Sequence, residues 1–359
     1  DDVEIKLTKS AISRLSHNLP EAYNYKELGE TWSAPRIFRL PNSGAGDNQI
    51  EDDIYVAVMG GGYGGRDDKV GSALFVVNLE DSATPGKLEK VISIEDYNSL
   101  NIVNSVPGTP VLVTPDLARG IKYKGALVYV NDFEGKISKF NLTNMKDDGQ
   151  GNTIKLYDST VLLSIDANRN NGRYQYHAMD AGVGKTTKQL WLFSGTGDYE
   201  RLTSKDPTVD NIMYGYRDKD YPLYRDRRDE LSVLYGLRPC IETTGDSQGY
   251  KCPVTTKEYD RISRQKKDKG WYIKLKNSQK VTSEPTVSNG LVYYPIFEPS
   301  QSANKCSLGL ALICAVDDEC GTNVSDQLAS LKDQKIDGKT YSGRTCYAVG
   351  QGVLSRLVV

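Results

Sequence analysis

The chain has 359 residues and a formal net charge of −2, with 38% hydrophobic residues, 33 Gly and 23 Tyr. A balance this close to neutral offers nothing general to nucleic acid or to an anionic membrane surface, and no apolar run approaches the roughly 20 residues of a membrane-spanning helix. The length admits two domains or one large β domain, and the composition suits a β-rich globular protein.

The first ten residues, "DDVEIKLTKS", are acidic and polar. They do not read as a signal peptide, so the expectation is a removed signal or an internal fragment of a longer protein. Strand signals then dominate. "TWSAPRIFRL" (31–40) is a Pro-led apolar run, and "DIYVAVMGGGY" (53–63) and "SALFVVNLE" (72–80) flank the turn-like "GGRDDKVG". "SVPGTPVLV" (105–113) repeats the Pro-led pattern. "GALVYVNDFEGKISKFNLTN" (125–144) reads as two strands around the turn 131–135, the second alternating apolar with polar. "DANRNNGRY" carries Asp166, Asn168 and Asn170 at alternate positions, like the first three ligands of a calcium loop. Gly172 falls one place late and His177 stands where a bidentate Glu belongs. An Asx-rich surface turn is the favoured reading of this loop, and Ca²⁺ bound by those three residues is the alternative.

"AGVGKTTKQLWLFSGTGDYE" (181–200) contains the second half of a phosphate loop. The first glycine of Gly-x-x-x-x-Gly-Lys-Ser/Thr falls at position 179, which is Met179. The downstream run "KQLWLFSGTG" is apolar and β-prone, whereas phosphate binding needs the N-terminal amides of a helix. The stretch therefore predicts a hairpin turn at 182–184, a strand starting near Gln189 and no nucleotide. Residues 200–270 are charged and Tyr-rich, and read as an insertion. Tyr214, Tyr216, Tyr221, Tyr224 and Arg225 are its candidate partner-binding residues, because Tyr and Arg are enriched at binding hot spots. "GLVYYPIFEP" (290–299) is another strand, and "VSDQLASLKD" (324–333) the one fair helix.

Six cysteines, Cys240, Cys252, Cys306, Cys314, Cys320 and Cys346, form an even set without a Cys-x-x-Cys pair. Disulfides fit better than zinc, and imply export. Cys240–Cys252 and Cys314–Cys320 are the short-loop pairings expected, in a Cys-rich closing segment from 300 to 359. The Pro-led strands recur at "TWSAPRIFRL", "SVPGTPVLV" and "VTSEPTVSNGLVYY", and "FVVNLED", "SKFNLTN" and "LICAVDD" share a strand ending. Units of several short strands spaced about 40 to 80 residues apart suggest β-propeller blades with long insertions, in a single all-β domain or the C-terminal part of one.

The order of these strands resembles a known family. "LGETWSAPRIFRL", "VAVMGGGYGG", "GSALFVVNLED", "ALVYVNDFEGKISKFNL", "LWLFSGTGDY", "DNIMYGYRD", "GWYIKL" and "KVTSEPTVSNGLVYYPIFEPS" run collinearly over about residues 28–310. Together they resemble the C-terminal propeller of the PilC/PilY family of type IV pilus biogenesis factors and tip adhesins. The resemblance implies a modified propeller, with seven blades as one count and the early blades missing from this chain. It implies a non-enzymatic adhesin that supports pilus extension and host attachment. Pilin or minor pilins at the pilus tip and a host-cell receptor would be its partners, and the cell surface, outer membrane or pilus tip its location. The calcium loop of some family members does not carry over to 114–125, where Asp116 is the one carboxylate. The competing readings are a generic exported propeller scaffold and a quinone-dependent dehydrogenase, which would need Ca²⁺ and stacking residues around its cofactor.

Overall fold

The computed structural model describes residues 21–41, 53–64, 70–83, 85–94, 104–115, 124–227, 237–239, 269–301, 308–321, 335–336, 339–340 and 346–358. They build four successive β-sheets, and the helical content among them is one 3₁₀ turn, Glu21–Tyr23. The first sheet is the antiparallel meander β1 (Arg36–Leu40), β2 (Ile54–Gly60), β3 (Ala73–Asn78) and β4 (Leu88–Ser93). The second repeats it with β5 (Val111–Val113), β6 (Gly125–Asn131), β7 (Lys136–Thr143) and β8 (Ser159–Ser164). The third contains β9 (Asp180–Val183), β10 (Leu190–Gly195), β11 (Ile212–Asp218), β12 (Leu237–Pro239) and β13 (Gly270–Lys274). Its order is β9-β10-β11-β13-β12, and β12 runs parallel to β13. In the fourth, β14 (Lys280–Val281) and β15 (Thr286–Ser288) both pair with β16 (Leu291–Glu298), which is followed by β17 (Leu310–Asp317). The two-residue strands β18 (Lys335–Ile336) and β19 (Lys339–Thr340) pair with each other, and β20 (Cys346–Gln351) closes the fourth sheet on β17.

The sheets stack face to face in chain order, as blades do. Side chains alternate across each strand, so a middle blade must be apolar on both faces. In β6, Ala126, Val128 and Val130 join Phe38, Val56 and Leu74 of the first blade. Leu127 and Tyr129, on its other face, join Leu192, Ile212 and Tyr214 of the third. The third blade repeats the division, because Trp191, Phe193, Met213 and Trp271 face Val292, Tyr294 and Leu312 of the fourth. This explains why the strands read as near-continuous apolar runs. Gly215 stands opposite Trp271 in the ladder, and a Cβ there would come within 2.7 Å of the indole. The glycine is what lets that ring lie flat on the sheet. The all-β, propeller-type expectation therefore holds, with four blades among the described residues. The outward side of β1 and β2 is partly open, with Ile37 63% and Tyr55 46% exposed.

Charges are buried between the blades. Lys136 pairs with Glu134 and lies 3.7 Å from Asp132, all three at most 2% exposed in their side chains. Lys139 Nζ donates to Asp218 Oδ2 at 2.6 Å and to the Leu223 carbonyl at 2.7 Å. From Asp218 the chain crosses the outer part of the second blade as a strap, residues 218–227. There Arg225 Nε donates to the Asp148 carbonyl and the Arg227 amide to Thr160 Oγ1.

Candidate functional site

The first strands of the first three blades, and Glu284 and Pro285 just before β15 of the fourth, border one cleft of about 720 Å³. Its walls are short because the innermost strands are short: three residues in β5, four in β9 and three in β15. Apolar lining comes from Ile37, Val111, Val113 and Val183, and Val183 is 61% exposed. Four charged groups stand among them. Asp180 is committed to structure: Oδ1 accepts from the Ala181 amide and Oδ2 from the Val287 amide at 2.8 Å, tying the third blade to the fourth. Glu284 pairs with Arg356 at 2.8 Å. Arg36 donates Nε to the Pro110 carbonyl at 3.3 Å and is otherwise exposed. The cleft thus presents apolar walls with the Arg36 guanidinium at one edge and the Glu284–Arg356 ion pair at another.

The stretch 181–200 holds a hairpin as expected, but its turn lies later than 182–184: Gly182 and Val183 are in β9, which pairs antiparallel with β10, and the Gly184 amide donates to the Gln189 carbonyl at 2.9 Å across the turn. The amides of Thr186 and Thr187 do hold an anion, but it is the chain's own Glu319. That carboxylate accepts from both amides and from Thr187 Oγ1, at 2.7–3.1 Å. Trp191 Nε1 donates to Thr187 Oγ1 and Trp271 Nε1 to the Asp318 carbonyl, so two indoles brace the latch between the third and fourth blades. Burial, then the neighbouring carboxylates of Asp317 and Glu319, push the Asp318 carboxyl up to about 7. Nearby in the chain, His177 lies edge-on to Tyr199 at 5.2 Å, and burial pulls its pKa down to about 4.

The tyrosines expected to be contacts are corrected. Tyr214, Tyr216 and Tyr224 are 0%, 5% and 2% exposed and belong to the core between the second and third blades, with Tyr221 packed against it. The Tyr214 hydroxyl accepts from Gln175 Nε2 at 2.8 Å, so even its polar tip is inside. The physical reason is that 212–218 is a central strand, with Ile212, Tyr214 and Tyr216 on its inward side, rather than part of a surface insertion. Arg225 is three-quarters buried, paired with Asp220 and spent on the strap.

The loop 166–173 is an Asx turn. Asn168 Oδ1 accepts from the amides of Asn170 and Asn171, and the Asn168 and Asn171 amide groups both donate to the Asp166 carbonyl. With Asn168 Oδ1 spent on the backbone, Asp166, Asn168 and Asn170 do not converge as a Ca²⁺ shell, and Asp166 is the one carboxylate among them. Among the cysteines, Cys314 pairs with Cys346 across β17 and β20, not with Cys320. The two stand directly opposite in the ladder, a relation that loop length does not reveal. Cys320 is buried. Cys240, Cys252 and Cys306, the helix expected at 324–333, and residues 116–123 of the stretch to which the family's calcium loop was not carried over lie outside the described residues.

No protein-family model matches the chain, and no curated protein matches it. Among solved structures, it is similar to the crystal structure of the Pseudomonas aeruginosa PilY1 C-terminal domain. The identity is 13% and the TM-score 0.55, over 90% of this chain and 68% of that one. At that identity the likeness concerns the fold: an all-β propeller-type arrangement of blades.

Proposed function

We propose that the protein is an exported, non-catalytic binding propeller of type IV pilus biogenesis, which presents the axial cleft to a pilin or minor pilin and supports pilus extension and host-cell attachment. The observation that carries the reading is that the collinear strand motifs fall on blades whose arrangement resembles the PilY1 C-terminal domain over 90% of the chain. The Cys314–Cys346 disulfide fits export, since such bonds persist in oxidising compartments. A rigid stack of blades is suited to display rather than catalysis, and the cleft combines exposed Ile37 and Val183 with the guanidinium groups of Arg36 and Arg356.

The test is capture of purified pilin and minor pilins by the protein and by an Ile37→Asp/Val183→Asp variant, with pilus counts and adherence of cells carrying each. Both side chains are exposed, so the variant should fold normally. Capture and piliation should fall together. Normal piliation and adherence in cells lacking the protein altogether would sink the pilus reading, while normal capture by the variant would move the contact away from the cleft.

A further inference from the structure

A second cavity, of about 490 Å³, lies on the outer part of the second blade, between the loop 147–159 and the strap that arrives from the third blade. Its floor and walls are unusually rich in groups that pair with hydroxyls: Asp148, Asn152, Asp158, Ser159 and Asp226, with the ring of Tyr157 and the buried Tyr224 beside them. From this composition and its fixed geometry we infer that the cavity is a saccharide-binding site, taking a neutral oligosaccharide of two or three rings.

A pyranose offers adjacent hydroxyls, which are both donors and acceptors, around a weakly apolar ring face. A site that selects it needs carboxylate and amide groups held still, and an aromatic surface beside them. The cavity has both. Asp148 is 4% exposed, and its Oδ1 accepts from the amides of Gln150 and Asn152 at 2.8 and 3.1 Å while Oδ2 accepts from Asn152 Nδ2 at 2.8 Å. Asn152 is itself exposed, so its side-chain amide is within reach of a hydroxyl. Asp158 Oδ2 accepts from the Lys155 amide at 2.7 Å. Asp226, exposed on the strap, accepts from Thr160 Oγ1 at 3.0 Å. Each carboxylate is therefore anchored by at least one bond that sets its direction.

Tyr157 stands among them at φ 72°, a left-handed conformation that a bulky residue rarely adopts. The Tyr157 amide donates to the Asn141 carbonyl at 2.8 Å, and one side of the ring packs on the core between the first and second blades. The residue also lines the cavity, which puts an aromatic ring beside the carboxylates. Burial pushes its hydroxyl up to about 12, so it remains a donor at neutral pH. Among the described lining residues three carboxylates stand with one cation, Lys155, and the Arg225 guanidinium donates to the Asp148 carbonyl beside them. The volume falls within the range of about 300–1,000 Å³ usual for small-ligand sites. The site is on a different face from the axial cleft and does not rest on the pilus reading.

The test uses the purified chain on an array of neutral and charged glycans, with hits measured by saturation-transfer NMR and titration, and a Lys-Gly-Lys peptide as a cationic probe. Neutral glycans should bind and saturate. Asn152→Ala, which removes an exposed side chain, should weaken them about tenfold, the worth of one good hydrogen bond. Tyr157→Asn, which tolerates the left-handed backbone, should abolish binding, and Asn152→Ala decides the matter should Tyr157→Asn lose the fold. Absence of any neutral glycan hit overturns the proposal, as does affinity unchanged in Asn152→Ala. Binding of the Lys peptide without binding of sugars overturns it in favour of a cation site.

Discussion

Asp218 holds two blades together, and removing its charge should show how strongly. Its carboxylate Oδ2 accepts from Lys139 Nζ at 2.6 Å and from the Tyr129 hydroxyl at 2.8 Å, while Oδ1 caps the Asp220 amide at 3.0 Å. Lys139 and Asp218 are 0% and 1% exposed in their side chains. In Asp218→Asn the cap and the shape survive, but the Lys139 ammonium keeps the Leu223 carbonyl and loses its counter-charge. Leaving one member of a buried ion pair alone costs about 3–5 kcal/mol. With an unfolding entropy of about 2.1 cal/mol/K per residue, the 359 residues give ~0.75 kcal/mol/K, so the melting temperature should drop by about 4–7 °C. Thermal and urea melts followed by circular dichroism read this directly. Lys139→Met should cost a comparable amount, and the double variant should be more stable than the sum of the two singles by about 1–3 kcal/mol. A single variant as stable as the parent, or strictly additive costs, would refute the idea that the pair acts as a buried unit.

Four other outcomes are expected. Glu319→Ala leaves the Thr186 and Thr187 amides without their acceptor and should destabilise by about 1–3 kcal/mol in urea melts, with Glu319→Gln milder. Asp318 and His177 should pull stability in opposite directions with pH. The Asp318 carboxyl, raised from 3.8 to about 7, contributes stability that is full below about 4 and lost as pH rises through 7. His177, lowered from 6.5 to about 4, contributes stability present above 6.5 and lost as pH falls toward 4. Asp318→Asn should therefore give a protein whose stability climbs with pH over that window, and His177→Phe one whose stability declines; a parallel pair of profiles would contradict the assignment. Cys346→Ser opens a loop with a sequence separation of 32 and should cost about 3–4 kcal/mol on the chain-entropy estimate, read by non-reducing denaturation. Calorimetry should find no ATP or GTP binding that Lys185→Ala abolishes, since the hairpin amides already hold Glu319.

The strands that declared themselves in the sequence were those with aliphatic runs between glycines or prolines: 54–60, 73–78, 125–131 and 190–195. β11 hid because its inward positions are Tyr214 and Tyr216, and its outward-looking Arg217 is also buried, at 0% exposure. A strand that fills its core with phenol rings and guanidinium looks like a contact surface when only composition is weighed. Its alternation, Ile212, Tyr214, Tyr216, was the signal that could have exposed it. Nor does the sequence show that Lys136 and Lys139 are buried, since buried lysines cannot be told from solvated ones without their partners 2 to 84 residues away. The hairpin at 182–189 was legible because a missing glycine and a missing helix are local facts. The cavity by the strap was not, because its two sides are about 70 residues apart in the chain and only the crossing of one blade by another brings them together.

That crossing has a consequence for how the molecule comes apart. A stack of blades held only by flat contact could shed one sheet at a time, like separate pages. Residues 218–227 bind the second page to the third, since the segment leaves β11 and is stitched to Lys139, Met145, Asp148 and Thr160 of the blade before it. Peeling β11 open therefore requires breaking bonds in β7, and the reverse holds too. In hydrogen exchange, the amides of β7 and β11 should open together at one free energy, as a single cooperative unit, while β1 and β2, with their open outer side, should exchange first.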